Sequence, residues 1–123
     1  MKKQIVEFVE LIRESSIGQY YLWIDDQLTD PDTPERWTPD GFVGASSSAE
    51  AKKIVSEYGL PMLIDFDHDL GEGDTAISFI NWMVYWALDN GIDWVPEYKI
   101  HSANPPGRAN IASKMESWKK VIS

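Results

Sequence analysis

Three runs of β-forming residues in this chain each stop abruptly on polar side chains. Tyr20-Tyr21-Leu22-Trp23-Ile24 ends on Asp25-Asp26, Met62-Leu63-Ile64-Asp65-Phe66 on Asp67-His68-Asp69, and Tyr98-Lys99-Ile100 on His101-Ser102. Near-continuous apolar strands alternating with helical segments indicate a parallel sheet, because helical crossovers bury both of its faces. Ligands of such sheets gather outside the C-terminal strand ends. Three polar clusters in that position therefore belong on one rim.

The segments between the runs support this reading. Ile5, Phe8, Val9 and Ile12 recur at helical spacing, which predicts a helix over residues 3–14 that is ended by Ser15, Ser16 and Gly18. Residues 27–40 carry Pro31, Pro34 and Pro39 among polar neighbours and are expected to form a long irregular loop. A short strand is expected over residues 41–44. Ser47 and Glu50 then form a capping box for a helix that runs to Tyr58 and closes at Gly59.

A further helix is predicted from Asp74 or Thr75 to Asp89, stopped by Asn90-Gly91. Its polar positions Ser78, Asn81, Tyr85 and Asp89 make one narrow stripe, so it is expected to be buried on more than one side, within the domain or in a homodimer contact. The last helix presents Ile111, Met115, Trp118 and Ile122 on one face. The expected architecture is a three-layer α/β sandwich around a short parallel sheet of about four strands. Residues 1–123 are read as one domain, with residues 1–16 as a helical addition.

Composition narrows the function. The absence of cysteine excludes disulfides and thiolate zinc sites and suits a reducing cytoplasm. Neither a secretory apolar region nor a membrane-length apolar span is present, so a soluble, cytoplasmic protein without a membrane partner is expected. A formal net charge of −9 makes long double-stranded nucleic acid a poor partner, since that binding relies on clustered Lys and Arg. Carboxylates gathered at one point can still hold a divalent cation, and the cation can bring a small phosphate with it.

Asp25, Asp26 and Asp67 are the candidate ligands for Mg²⁺ or Mn²⁺, with Asp69 as a fourth; hard cations want several oxygen donors. Acids at strand ends also serve as turn formers and caps. Asp65 alternates with Phe66 inside its strand and is expected to play a supporting role, paired with a basic group. His68 and His101 are the chain's two histidines, and both fall on the rim. Imidazole titrates near neutrality, so the pair can supply a general acid and a general base, although sequence leaves open which is which. Ser102 is expected to donate a hydrogen bond to a phosphoryl oxygen rather than to attack it. Asn104 to Asn110 reads as an anion loop: Gly107 allows close backbone approach, Arg108 offers a bidentate fork, and a helix N-terminus follows.

In this order the residues resemble the receiver domains of two-component signalling. That resemblance assigns Mg²⁺ binding to Asp25, Asp26 and Asp67, phospho-acceptance to Asp67 and phosphate sensing to Ser102. Receivers also carry a lysine on a fifth strand, which this chain lacks, and Lys99 sits in the same strand as His101 rather than in its place. A closer resemblance is to the cyclic-phosphate-processing receiver-like domains. It rests on Leu22-Trp23-Ile24-Asp25-Asp26, Ser48-Ala49-Glu50-Ala51, Asp67-His68-Asp69-Leu70-Gly71 and the segment from His101 to Ile111, and it spans residues 20 to about 120.

The second resemblance implies a receiver or flavodoxin-like sheet without the fifth β/α unit, with the N-terminal helix as an addition. The family often places Arg two positions after the acid pair, where this chain has Leu28; the resemblance leaves two options, that Arg36 covers the role or that ligand binding is altered. Small members occur in bacteriophages, so a phage-encoded protein acting in the host cytoplasm fits.

The first functional expectation is a metal-assisted phosphoesterase acting on a cyclic phosphate of a nucleotide or RNA end. Asp25, Asp26 and Asp67 would hold the metal, His68 and His101 would move protons, with Asp67 counted among the catalytic groups, and Ser102, Asn104 and Arg108 would hold the phosphate. The alternatives are a signalling module phosphorylated on Asp67, and a protein that sequesters a ligand or binds a host protein without turnover.

Overall fold

The computed structural model describes residues 20–122, so the helix expected over residues 3–14 lies outside the described residues. The elements run β1 (Tyr21–Ile24), a single 3-10 turn (Pro34–Arg36), β2 (Phe42–Ala45), α1 (Ser48–Tyr58), β3 (Leu63–Phe66), α2 (Ala76–Asp89), β4 (Glu97–Ile100) and α3 (Pro105–Ile122). The four strands form one parallel sheet in the order β2-β1-β3-β4. It is the receiver-like α/β fold that the alternation of strands and helices predicts.

Alternation along the strands divides the sheet into two faces. Leu22, Ile24, Ile64 and Phe66 are fully buried in one cluster with residues of all three helices, including Val55, Phe79, Ile80, Met83, Ile111, Met115 and Trp118. α1 packs beside α2, and α2 beside α3. Among the described residues the fold thus comprises the sheet and one helical layer. Register places Trp23, Asp65 and Lys99 side by side on the opposite face.

Local chemistry sets the element ends. Ser47 caps α1 by accepting from the Glu50 N–H at 3.1 Å, while the Glu50 carboxylate reaches Ser46 rather than closing the box on Ser47. Asp74 ties the same helix start to the loop before α2, accepting from the Ser48 N–H at 2.8 Å and its hydroxyl at 2.6 Å. Gly59 closes α1 at φ 87°, a left-handed value that a side chain would strain. β4 ends at Ile100, and His101 follows it directly. Among the described residues no helix is long and apolar enough to cross a membrane.

Candidate active site

The sheet's own hydrogen bonds set the rim. The ladder continues one step past the strands: Asp25 N–H donates to Ala45, Asp67 N–H to Ile24, and His101 N–H to Phe66, at 3.1, 3.0 and 2.8 Å. Three side chains from three strand ends are thereby fixed on neighbouring positions before any side-chain contact is made. Asp25 is fully buried and Asp67 is 7% exposed. Burying carboxylates is costly unless they are paired, so their partners define the site.

Asp25, Asp26 and Asp67 each offer a carboxylate oxygen, and these oxygens lie within 4.8 Å of one another. Hard, anionic oxygen donors at that separation suit Mg²⁺ or Mn²⁺. Asp69 stands apart from this group and is largely exposed; it accepts from Asn104 at 3.3 Å and lies 3.1 Å from His68 Nδ1, contacts that hold its pKa below the usual carboxylate value. The turn-forming role of strand-end acids is present as well. Asp25 accepts from the Gln27 N–H at 2.8 Å and Asp67 from the His68 N–H at 2.9 Å. Each acid serves a turn and the site together.

Arg36 lies in the middle of the acids. Its Nη2 is 2.7 Å from Asp25 Oδ1, 3.1 Å from Asp26 Oδ1 and 2.6 Å from Asp67 Oδ2, and its Nε donates to Asp25 Oδ2 at 2.9 Å. The hydrogen bond to Asp25 is the chief reason its pKa is raised above the ordinary arginine value. Desolvation and then repulsion from Asp25 raise the Asp67 pKa, and Arg36 and His101 offset this only in part.

His101 is held on both ring nitrogens, by Asp65 at 2.8 Å on Nδ1 and by Asp25 at 3.0 Å on Nε2. Ionised carboxylates only accept hydrogen bonds, so the imidazolium satisfies both contacts at once. Burial opposes that charge, but Asp65 and Asp25 outweigh it and raise the pKa above 6.5. Trp23 stacks flat on the ring at a centroid distance of 3.9 Å, a favourable arrangement for a cation over an indole. Asp65 is thus the supporting acid expected from sequence, and its basic partner is His101.

A pocket of about 530 Å³ opens over these groups, lined by Asp26, Gln27, Arg36, Asp67, Asp69, His101, Ser102, Ala103 and Asn104. Ser102 is buried and its Oγ accepts from the Asn104 N–H at 3.1 Å, which leaves the hydroxyl proton available to donate. His68 is not in this lining. Its ring packs against the first turn of α3, where a Cβ on Gly107 would fall 2.5 Å from His68 Cγ. The close approach that Gly107 permits is to His68.

The Asn104–Asn110 segment differs from the expected anion loop for a related reason. Pro105 and Pro106 have no N–H, the Gly107 N–H donates to Asn104 Oδ1 at 3.2 Å, and the Arg108 N–H is bonded to the Asn104 carbonyl. The helix start satisfies itself and offers an anion no free donor in this turn. Arg108 Nη1 donates to the Ile100 and Ser102 carbonyls, both at 3.0 Å, and so braces the chain around His101.

Sequence reasoning missed Trp23 as a site residue, although the signal was there. It precedes Asp25 by two positions on a strand and so shares its face. Gln27 and the central place of Arg36 had no local signal, since both lie in an irregular loop.

A parallel four-stranded α/β domain with an acid triad, an arginine and a clamped histidine at the strand ends defines a receiver-like site. The profile of the cyclic-phosphate processing receiver domain matches residues 20–117, and the chain belongs to that family. Searches among curated proteins and among solved structures gave no significant match.

Proposed function

We propose that this protein is a metal-assisted phosphoesterase that opens a cyclic phosphate of a nucleotide or of an RNA end. The observation that carries this reading is the His101 imidazole, held between Asp65 and Asp25 at the edge of the pocket beside the acid triad. Membership of the cyclic-phosphate processing family supports the substrate class.

Four carboxylates, Asp25, Asp26, Asp65 and Asp67, face the cations Arg36 and His101. That excess of negative charge repels an anionic substrate unless a cation accompanies it. A divalent ion held by Asp25, Asp26 and Asp67 would supply the missing positive charge and polarise a phosphoryl oxygen. Ser102 and the Asn104 amide would donate to the remaining oxygens of the phosphate. Hydrolysis adds water across one phosphorus–oxygen bond of the ring: the new P–O bond forms as the old one breaks, and the leaving alkoxide takes a proton. His101 in its imidazolium form donates that proton from Nε2. Asp67, which lines the pocket at the end of β3, would accept the proton from the attacking water.

The test is ³¹P NMR of the protein with 2′,3′-cyclic mononucleotides and cyclic dinucleotides, with Mg²⁺ or Mn²⁺ and then with chelator. Metal-dependent conversion that disappears in His101→Ala is the expected result. Shifted resonances without conversion would replace the enzyme reading with one of ligand sequestration. An acid-labile adduct formed with a small phosphodonor and abolished by Asp67→Asn would replace it with phospho-acceptance.

A further inference from the structure

Among the described residues Arg36 is the one cation in contact with all three acids of the triad. Nη2 is 2.6–3.1 Å from an oxygen of each acid. A Mg²⁺ ion bonds to carboxylate oxygen at about 2.0–2.1 Å and excludes other atoms from that space. Nη2 takes the point shared by one oxygen of each acid, which is the point an ion bound to those three oxygens would take. The two cations compete for one position.

The loop is built so that the side chain can leave without the backbone. The Arg36 carbonyl accepts from Trp23 Nε1 at 3.1 Å and its N–H donates to the Thr33 carbonyl at 2.9 Å. Trp37 Nε1 donates to the Asp30 carbonyl at 2.7 Å, closing the same loop on itself. These anchors hold the main chain of residues 30–37, while the Arg36 side chain remains 29% exposed on the pocket side. Rotation about its own torsions would carry the guanidinium away from the acids into the pocket that Ser102 and Asn104 also line. A bidentate fork released there meets a phosphoryl oxygen.

We propose that Arg36 is a built-in competitor for the metal: it neutralises Asp25, Asp26 and Asp67 in the metal-free protein, and a divalent cation displaces its side chain into the pocket to become a phosphate ligand. The inference rests on the reading that this site uses a divalent cation. It orders binding, cation first and phosphate second, because the arginine is free for the anion only after the cation has entered.

The experiment is calorimetric titration of parent and Arg36→Ala proteins with Mn²⁺ and Mg²⁺ alone, with no substrate present. Loss of a unit positive charge at contact distance from the ligands is expected to tighten cation binding by about tenfold or more in Arg36→Ala. Methylguanidinium added to the variant is expected to weaken it again. A purely long-range charge effect is separated by the Arg36 Nε–H resonance of the parent in ¹H–¹⁵N spectra. Displacement requires that signal to leave its hydrogen-bonded position in proportion to Mg²⁺ saturation, and this measurement needs no variant to fold.

Equal or weaker cation binding by Arg36→Ala, an Nε–H signal unmoved at saturation, or absence of cation binding in both proteins would overturn the proposal. Tight cation binding with no turnover of any cyclic phosphate would instead count against the phosphoesterase and leave the competition standing.

Discussion

His68 and His101 occupy matching places in the chain, each just past a strand on the same rim, yet their surroundings have little in common. His101 faces a carboxylate on each nitrogen, lies under the Trp23 indole and lines the pocket. His68 meets the exposed Asp69 through Nδ1 and packs its ring on Gly107. The difference comes from the partner element. β4 ends beside Asp65 and Asp25, whereas the segment after β3 passes beneath the first turn of α3. A histidine at a strand end gains a carboxylate on each ring nitrogen only where the neighbouring strands supply one.

The comparison breaks first if the two histidines prove equivalent in activity. On a cyclic phosphate that the parent hydrolyses, His101→Ala is expected to lower kcat by about 10²–10⁴-fold, the usual worth of a positioned acid or base. His68→Ala should cost less than about tenfold on the same scale. Steady-state rates for the two variants decide it, and equal losses would return His68 to the chemistry.

The packing role of His68 is sharpened by Gly107→Ala. The added methyl would overlap the imidazole, and a stability loss of about 1–3 kcal/mol is expected in urea denaturation. In a His68→Ala background the same substitution should cost less, because the obstructing ring is gone. An unchanged penalty would place the constraint in the backbone of α3.

Arg108 provides a smaller contrast. Its bonds to the Ile100 and Ser102 carbonyls predict that Arg108→Ala loses about 1 kcal/mol of stability, with KM altered only modestly. A large rise in KM at unchanged stability would make it a phosphate ligand, as its place in the sequence suggests.

The last effect is in pH. His101 has a raised pKa in the folded protein, so its contribution to stability is fully present below 6.5 and is lost as pH rises through the folded value. Asp67 is also raised, so its contribution disappears in the same direction, over a window that begins near 3.8. Thermal melts in chelator should therefore show stability declining on the alkaline side of 6.5, with an NMR titration of His101 tracking the loss. Asp65→Asn removes the principal raising partner and should move the His101 midpoint down. A midpoint that stays put would assign the shift to Asp25.

Most of the elements were legible because their signals are local. β-forming runs, helical periodicity, the Ser47 cap and the Gly59 stop each concern residues within a few positions of one another. Asp25, Asp26 and Asp67 could be grouped because parallel strands place their C-terminal ends on one rim. The start of α3 reads in the sequence as an anion loop, although Pro105 and Pro106, which have no N–H to offer an anion, are a local signal against it.

The sequence by itself therefore determined the alternation of strands and helices and the set of acids at the strand ends. Tertiary structure alone decided that Arg36 sits among those acids, that Asp65 and Asp25 clamp His101, and that His68 turns to Gly107. Hydrophobic period and capping are properties of a short segment, whereas the partner of a buried charge is set by which distant segment the sheet order brings within 3 Å. In this chain that order is β2-β1-β3-β4, and it joins residues as far apart as Asp25 and His101.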